Sequence, residues 1–325
     1  MMKKVAVILA AHGEAETDSF PENFSMIRHT FAHAGEVMNI PFPLQLAASV
    51  FGGLKNLVEF RSSGYRSPHK HITRMQAERL GDELRRQSPG DDTLYEVSAA
   101  YHAVPPFVED LLDETSGYDM QLLVTMSPVD SDLTAGRLQH LADRRSIAES
   151  NTRPPVVISG FWDDPMLYRV YLNHLFSHAS GEEGTALLLT FHGTLVKDRK
   201  GNEPGFRTGY PEILRMGSAL REAVRNDPRS PYQHVDIAYL NHQVGGTWTE
   251  PSLLDSLREV AKSGITRADV FSVGYFSDGT EILRHAKEEA EASPVESVRL
   301  IPCLNENEEF MKYLAGRVRE AVSNS

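Results

Sequence analysis

Short apolar runs rich in valine, isoleucine and leucine recur along the chain, at 5–10, 95–100, 122–126, 156–159, 186–190, 235–240, 269–273 and 298–301. A further run, 44–50, is a ninth candidate strand. Most are apolar at consecutive rather than alternate positions, so both faces of each strand need cover. Helical periodicity lies between them. The stretch 73–87 places Ala77, Leu80 and Leu84 on one face, and 252–262 groups Leu254, Leu257 and Ala261. Near the C-terminus Asn305 reads as an N-cap with Glu308 three residues on. Phe310, Leu314 and Val318 then repeat every four residues. This alternation predicts an α/β protein with parallel sheets and right-handed crossovers.

A chain of 325 residues suits two domains or one large one. A single cysteine, Cys303, excludes a disulfide framework, a multi-cysteine zinc site and an iron–sulfur cluster held by this chain alone. Lys and Arg number 33 against 45 Asp and Glu, a net charge of −12, which argues against a nucleic-acid partner. The opening MMKKVAVILAAHGEAE meets acidic residues at once, and its apolar run is too short for a signal peptide or a membrane span. The expectation is a cytoplasmic protein without stable membrane insertion.

The thirteen histidines carry most of the chemical signal. His12 and His192 each end an apolar strand and are followed by glycine, as VILAAHG and LLTFHG, 180 residues apart. Ligands of open α/β sheets bind beyond the carboxyl ends of strands, so both histidines stand where a site is expected. A His-Gly dipeptide also suits a plain turn. His29/His33 and His174/His178 have the i, i+4 spacing that puts two imidazoles on one helical face, without an evident third ligand. After the 269–273 strand, Ser277-Asp278-Gly279 leads into a helical stretch. On it Glu281, His285 and Glu289 fall at i, i+4 and i+8. Such a row suits a divalent metal held by oxygen and imidazole and then released. It equally suits a solvated face, since Lys287, Glu288 and Glu291 are charged too. Phosphate-binding loops, dinucleotide fingerprints and nucleophile elbows are missing. Chemistry is left to His, Glu and Asp at strand ends.

Several segments resemble the ferrochelatase family. Thr190-Phe191-His192-Gly193-Thr194-Leu195 is similar to its strand-ending histidine signature, with Val196 where that signature has proline. Ser277-Asp278-Gly279-Thr280-Glu281-Ile282-Leu283 resembles its Ser-Asp-His-x-Glu-x-Leu motif, with Gly279 for the histidine. Ser63 to Pro68 and the following ITRMQAERL resemble a Gly-Gly-x-Ser-Pro turn and its helix. Ser127-Pro128 to Gly136, Phe161-Trp162-Asp163-Asp164-Pro165, the set Gln243, Gly246, Trp248 and Pro251, and Leu304-Asn305 also match, in order along nearly the whole chain.

The resemblance implies two similar Rossmann-like domains, each with a four-stranded parallel sheet flanked by helices, and a cleft between them. One would span 1–118 plus a returning C-terminal helix at 304–325. The other, 119–303, would carry His192 and Glu281. The implied activity is ATP-independent insertion of ferrous iron into a porphyrin, protoporphyrin IX or coproporphyrin III, in haem biosynthesis. His192 would be the proton acceptor and metal-site base, and Glu281 its carboxylate partner. His285 and Glu289 would relay metal. His12 could ligate the metal from the other side, and His12, Arg28, Ser67 and Trp248 would contact porphyrin. Arg28 also reads as a surface arginine. Ferrous iron would be a substrate, with no obligatory cofactor and no iron–sulfur cluster. Two rivals share the fold: a chelatase inserting cobalt or nickel into sirohydrochlorin, and a non-catalytic tetrapyrrole or metal binder. A third reading, a periplasmic-type metal-binding protein, lacks the export signal it would need.

Overall fold

The run Lys3–Ala11 forms strand β1, in which every residue from Val5 onward is buried. The computed structural model describes residues 2–38, 40–87, 92–148, 153–179, 181–242 and 246–324. The chain divides into two units. One comprises Met1–Met126, Ser131–Ser159 and Glu308–Ser325, the other Ser127–Asp130 and Gly160–Asn307.

In the first unit β1 is followed by α1 (Phe20–Met38), α2 (Phe42–Ser63), α3 (His69–Gln87), β2 (Thr93–Tyr101), α4 (Val108–Glu114), β3 (Met120–Thr125), α5 (Ala135–Ala148) and β4 (Val156–Ile158). The strands are parallel in the order β2-β1-β3-β4. Lys3 lies opposite Thr93, Val5 opposite Met120 and Leu122 opposite Val156. The sequence 44–50 is part of helix α2, not a strand. Pro43 opens that helix and Gly64, at φ 65°, closes it. A short apolar run does not itself distinguish strand from helix. Here Ser49 and Gly53 are buried small residues, and a Cβ on Gly53 would stand 3.2 Å from the backbone of Phe24, so α2 packs closely on α1.

The second unit holds α6 (Pro165–His178), β5 (Thr185–His192), β6 (Leu195–Asp198), α7 (Tyr210–Asn226), β7 (Tyr232–Leu240), β8 (Gly246–Trp248), α8 (Leu253–Lys262), β9 (Arg267–Phe271), a π-helical turn (Glu281–Ala286), α9 (Lys287–Glu291) and β10 (Ser297–Ile301). Its parallel sheet runs β10-β9-β5-β7, and β6 pairs with β8 in an antiparallel ribbon. Counted within each unit, both sheets have the order second, first, third, fourth. The final helix, α10 (Glu308–Ser323), returns to the first unit, where it packs against α3 and buries Phe310, Leu314 and Val318. No described helix is long and apolar enough to cross a membrane.

Two further expectations are corrected. The first unit does not end at 118, because β3 pairs with β1 and β4 with β3, so its sheet is completed only by residues up to Ser159. Asn305 does not cap α10. It adopts φ 46° and its side chain is bound to Asp278, while the helix begins at Glu308.

The two His-Gly dipeptides occupy the same place in the two sheets, at the exit of the first strand. Gly13 has φ 83°, and a Cβ there would stand 2.6 Å from both Tyr101 Cβ and Val104 Cγ2. Gly193 is needed for space: its amide donates to Leu240 O at 2.7 Å, and a Cβ would lie 1.7 Å from Asn241 Oδ1 and 2.9 Å from Leu240 O. In each unit the chain leaving the first strand thus runs tightly against the chain leaving the second. Gly193→Ala should cost about 1–3 kcal/mol, as overpacking of a filled site does. A chemical-denaturation midpoint equal to the parent's would contradict this contact.

The histidines of α1 and β2 generate a second expectation. Burial and the neighbouring Arg137, whose Nη2 lies 2.8 Å from His33 Nε2, lower the His33 pKa to about 3. Burial and the same guanidinium push His102 well below its ordinary value. An unfolded histidine titrates near 6.5. Below that pH the unfolded chain takes up a proton that the folded chain refuses. Stability is therefore full above pH 6.5 and falls as pH drops towards 3. Going from pH 7 to pH 5 should cost ~2 kcal/mol for each such histidine. Urea midpoints at the two pH values should show the loss, and His33→Gln should reduce it. An identical loss in parent and variant would refute the assignment.

Candidate functional site

His192 is the last residue of β5, and His242 follows β7 by two residues. These two strands are neighbours, so both imidazoles stand at one carboxyl edge of the second sheet. The third participant comes from the chain leaving β9, on the other flank of β5. That chain folds back over β5: Gly274 donates to Thr190 O at 3.0 Å, and a Cβ on Gly274 would lie 2.7 Å from Phe191 Cα. Asp278 then anchors it. The Asp278 carboxylate accepts from Cys303 N at 3.0 Å and from Asn305 Nδ2 at 2.7 Å, and its own amide donates to Asn305 Oδ1 at 2.9 Å. The π-helical turn begins three residues later, and Glu281 is its first residue. The edge between the first and third strands is the switch point at which open α/β sheets bind ligands.

His242 Nε2 donates to Glu281 Oε1 at 2.6 Å. His192 Nε2 lies 3.7 Å from Glu281 Oε2 and 3.2 Å from His242 Nε2. Tyr275 donates its hydroxyl to Glu281 Oε2. The His192 and His242 side chains are 49% and 42% exposed, that of Glu281 16%. Burial alone would raise the Glu281 pKa. The two histidines and the Tyr275 hydroxyl outweigh it and hold the carboxyl well below its ordinary value, so it is ionised. The bond to Glu281 raises the pKa of His242 against the opposing effect of burial. On His192, Nδ1 lies 2.5 Å from Gly193 O. A carbonyl only accepts, so Nδ1 carries hydrogen, and in the neutral ring Nε2 is the nitrogen with the lone pair.

Among the described residues, His192, His242 and Glu281 form the one group of three able to close on a cation, all their ligand atoms lying within 4.8 Å of one another. The chemistry this permits is metal coordination by two nitrogens and an oxygen, and proton acceptance at His192 Nε2 and at the carboxylate.

Of the residues singled out from the sequence, the fold brings together His192, Glu281, Trp248 and His285. The Trp248 ring is 5.7 Å from that of His242 and 6.4 Å from that of His192. The exposed His285 ring is 6.4 Å from that of His242. Glu289 is placed elsewhere: its Oε2 accepts from Leu254 N at 2.7 Å, at the start of α8. The i, i+4, i+8 row assumed an α-helix, and a π turn adds residues to each turn and rotates the later ones off the stripe. In the first unit, His12 Nε2 meets Thr30 Oγ1 at 3.3 Å, and Arg28 is exposed on α1. Ser67 is buried and donates to Glu14. His29 and His33 lie beside Phe107 and Arg137, and His174 is bound to Pro302 O, so neither helical pair is free for a metal. Gln243 lies outside the described residues. Sequence reasoning missed His242 and Tyr275. His242 was signalled as His12 and His192 were, by a histidine directly beyond an apolar strand, but no glycine follows it.

The sequence profile of the family described as ferrochelatase matches residues 4–322. A ferrochelatase of Neisseria meningitidis serogroup B is 26% identical over 227 residues, 67% of this chain and 65% of that protein, so the match spans just under two thirds of this relative. A ferrochelatase of Actinobacillus pleuropneumoniae serotype 3 is 24% identical over 262 residues, 79% of this chain and 77% of the relative. Among solved structures, SirB from Bacillus subtilis with Fe3+ superposes at a TM-score of 0.55 with 13% identity, covering 99% of this chain and 97% of that one. CbiX, the terminal enzyme for biosynthesis of siroheme in denitrifying bacteria, superposes at 0.51 with 13% identity, covering 97% and 98%. At that identity the two structures share the fold. The profile match runs through both units and includes the strand-end histidine and the Glu281 turn, and the chain belongs to the ferrochelatase family.

Proposed function

We propose that this protein inserts ferrous iron into a porphyrin, protoporphyrin IX or coproporphyrin III, with release of two protons. The observation that carries the reading is the meeting of His192 and Glu281 at one strand edge in a chain of this family. Two pyrrole N–H protons must leave as the metal enters. His192 offers a lone pair on Nε2 because its Nδ1 hydrogen is committed to Gly193 O. Glu281 is an ionised carboxylate, able to take the second proton or to neutralise the entering cation. Tyr275 and His242 orient it. Trp248, beside both imidazoles, offers an aromatic face to a flat macrocycle. Arg28 and His12 stand as candidates for the macrocycle's carboxylates, and an arginine fork suits a propionate. Ser67, bound to Glu14, acts in this reading by holding its turn.

In this reading iron is a substrate and no resident cofactor takes part. Cys303 is buried, with its thiol 3.6 Å from Ser272 O, and a cluster needs several thiolates. His285, near His242, is the better placed of the two residues proposed for metal relay. A cytoplasmic location belongs to the same proposal.

Anaerobic insertion into each porphyrin, followed by the change in its visible bands, tests the reading. The parent should insert iron. His192→Ala and Glu281→Gln should each slow insertion by roughly 10²–10⁴-fold, the usual contribution of a positioned acid or base. Full activity in His192→Ala would refute the proton-acceptor role. A parent that inserts iron into neither porphyrin would refute the reading itself.

A further inference from the structure

His242 has no part in the mechanism beyond orienting Glu281, yet its Nε2 faces both other groups. We propose that His192, His242 and Glu281 together form a three-ligand site that holds a divalent first-row cation on the protein alone, before a macrocycle arrives. The inference rests on the proposed function in one respect: it takes the bound cation to be the one later inserted.

Geometry supports three ligands rather than two. Metal–nitrogen and metal–oxygen bonds of about 2.1 Å at tetrahedral or octahedral angles place ligand atoms about 3.0–3.4 Å apart. The nitrogen–nitrogen separation, 3.2 Å, falls in that range, and the two nitrogen–carboxylate approaches lie either side of it, 2.6 Å from His242 Nε2 to Oε1 and 3.7 Å from His192 Nε2 to Oε2. Small rotations about side-chain bonds would equalise them. The ligands come from three separate segments, the ends of β5 and β7 and the first residue of the π turn, so no single loop has to fold around the ion.

The outer contacts are those a metal site needs. Ligating histidines usually donate their second ring N–H to a carbonyl or carboxylate, and ligating carboxylates are themselves hydrogen-bonded. His192 Nδ1 meets Gly193 O, and Tyr275 holds Glu281 Oε2. Both imidazoles are half-exposed, so an ion bound by all three groups keeps open positions.

The donor set defines the class of ion. Two imidazoles and one carboxylate, without thiolate, suit Fe2+, Co2+, Ni2+ and Zn2+ rather than Mg2+ or Ca2+, and the same triad holds ferrous iron in non-haem sites. Without metal, His242 Nε2 carries the hydrogen given to Glu281. On binding, the metal takes that nitrogen; a neutral ring moves the hydrogen to Nδ1, and an imidazolium, which already has one there, releases the Nε2 proton to solvent. No electron moves.

The first unit provides an internal contrast. His12 and His102 stand at the ends of the corresponding strands, β1 and β2. There Arg137 Nε lies 3.3 Å from His102 Nδ1, and Arg137 Nη2 is 2.8 Å from His33 Nε2. A fixed guanidinium stands among those imidazoles, where the second unit has a carboxylate.

Cobalt(II) titration of the tetrapyrrole-free protein, read by calorimetry and by visible d–d absorption, is the test. The parent should bind one Co2+ per chain. His242→Phe should weaken binding at least about tenfold and change the d–d spectrum. His242→Gln, which keeps a donor for Glu281, should show the same loss. Glu281→Gln should also weaken binding. Unchanged affinity and spectrum in both His242 variants would overturn the proposal, as would a parent that takes up no Co2+. Porphyrin insertion separates the two readings. If the parent binds cobalt through His242 but inserts iron into no porphyrin, the proposed function fails and this site stands. If it inserts iron while cobalt binding ignores His242, this site fails and the function stands.

Discussion

The carboxylate of Glu281 is the charge around which the second unit's site is arranged. It is mostly removed from water, and an ionised group in that position is costly unless donors meet it. Two do so directly, His242 through Nε2 and Tyr275 through its hydroxyl, and the His192 ring stands close by, its Nε2 3.7 Å from Oε2. None of these contacts is local in sequence except that of Tyr275. They depend on the register of β5 with β7, and on the chain beyond β9 lying almost against the backbone of Phe191. The parallel sheet is therefore the device that makes the site. Each strand ends at one edge, and each successor segment leaves from it.

The same device operates twice, with opposite electrostatic results. Both sheets have one strand order, both place a histidine at the exit of the first strand, and both place another just beyond the second. In the first unit the charge supplied to these imidazoles is the cation Arg137, backed by Glu109 at 3.0 Å. Burial and that cation keep His33 and His102 neutral. In the second unit the charge is an anion, and His242 is pushed towards protonation. The repeated scaffold thus carries one set of imidazoles facing a guanidinium and one facing a carboxylate.

How much of this could be read from the chain depends on the distance over which each feature is determined. The eight strands of the two parallel sheets were legible because burial on both faces writes itself as an unbroken apolar run. The same rule misassigned 44–50, where the run is helical and belongs to α2, which packs on α1 at Gly52 and Gly53. The boundary at 118 failed because pairing of β3 with β1 is a tertiary fact. Asn305 has a cap residue's chemistry, but it spends that chemistry on Asp278, 27 residues away. The row Glu281, His285, Glu289 was built on an α-helical period that the π turn breaks. His192 and Glu281 were legible through family motifs. His242 matched no quoted motif, and only the side-by-side ends of β5 and β7 show what it meets.

The motif residues do different work from that difference. Several of those that carry the family resemblance hold the scaffold rather than face a reactant. Ser67 is tied to Glu14, Asp278 is clasped by Asn305 and Cys303 N, and Trp162 donates from Nε1 to Asp130 at 3.2 Å. Each anchors a chain segment leaving a strand end, which is where positional error in a site would arise. His192 and Glu281 are the quoted residues at the chemical centre, and they are joined there by two residues that no quoted motif contains. A resemblance built on such anchors identifies the frame and names two candidates for its chemistry. The remaining groups, which set how many ligands an ion finds, are free to differ on an unchanged frame. In this chain the strand beside β5 supplies one of them, and it is an imidazole.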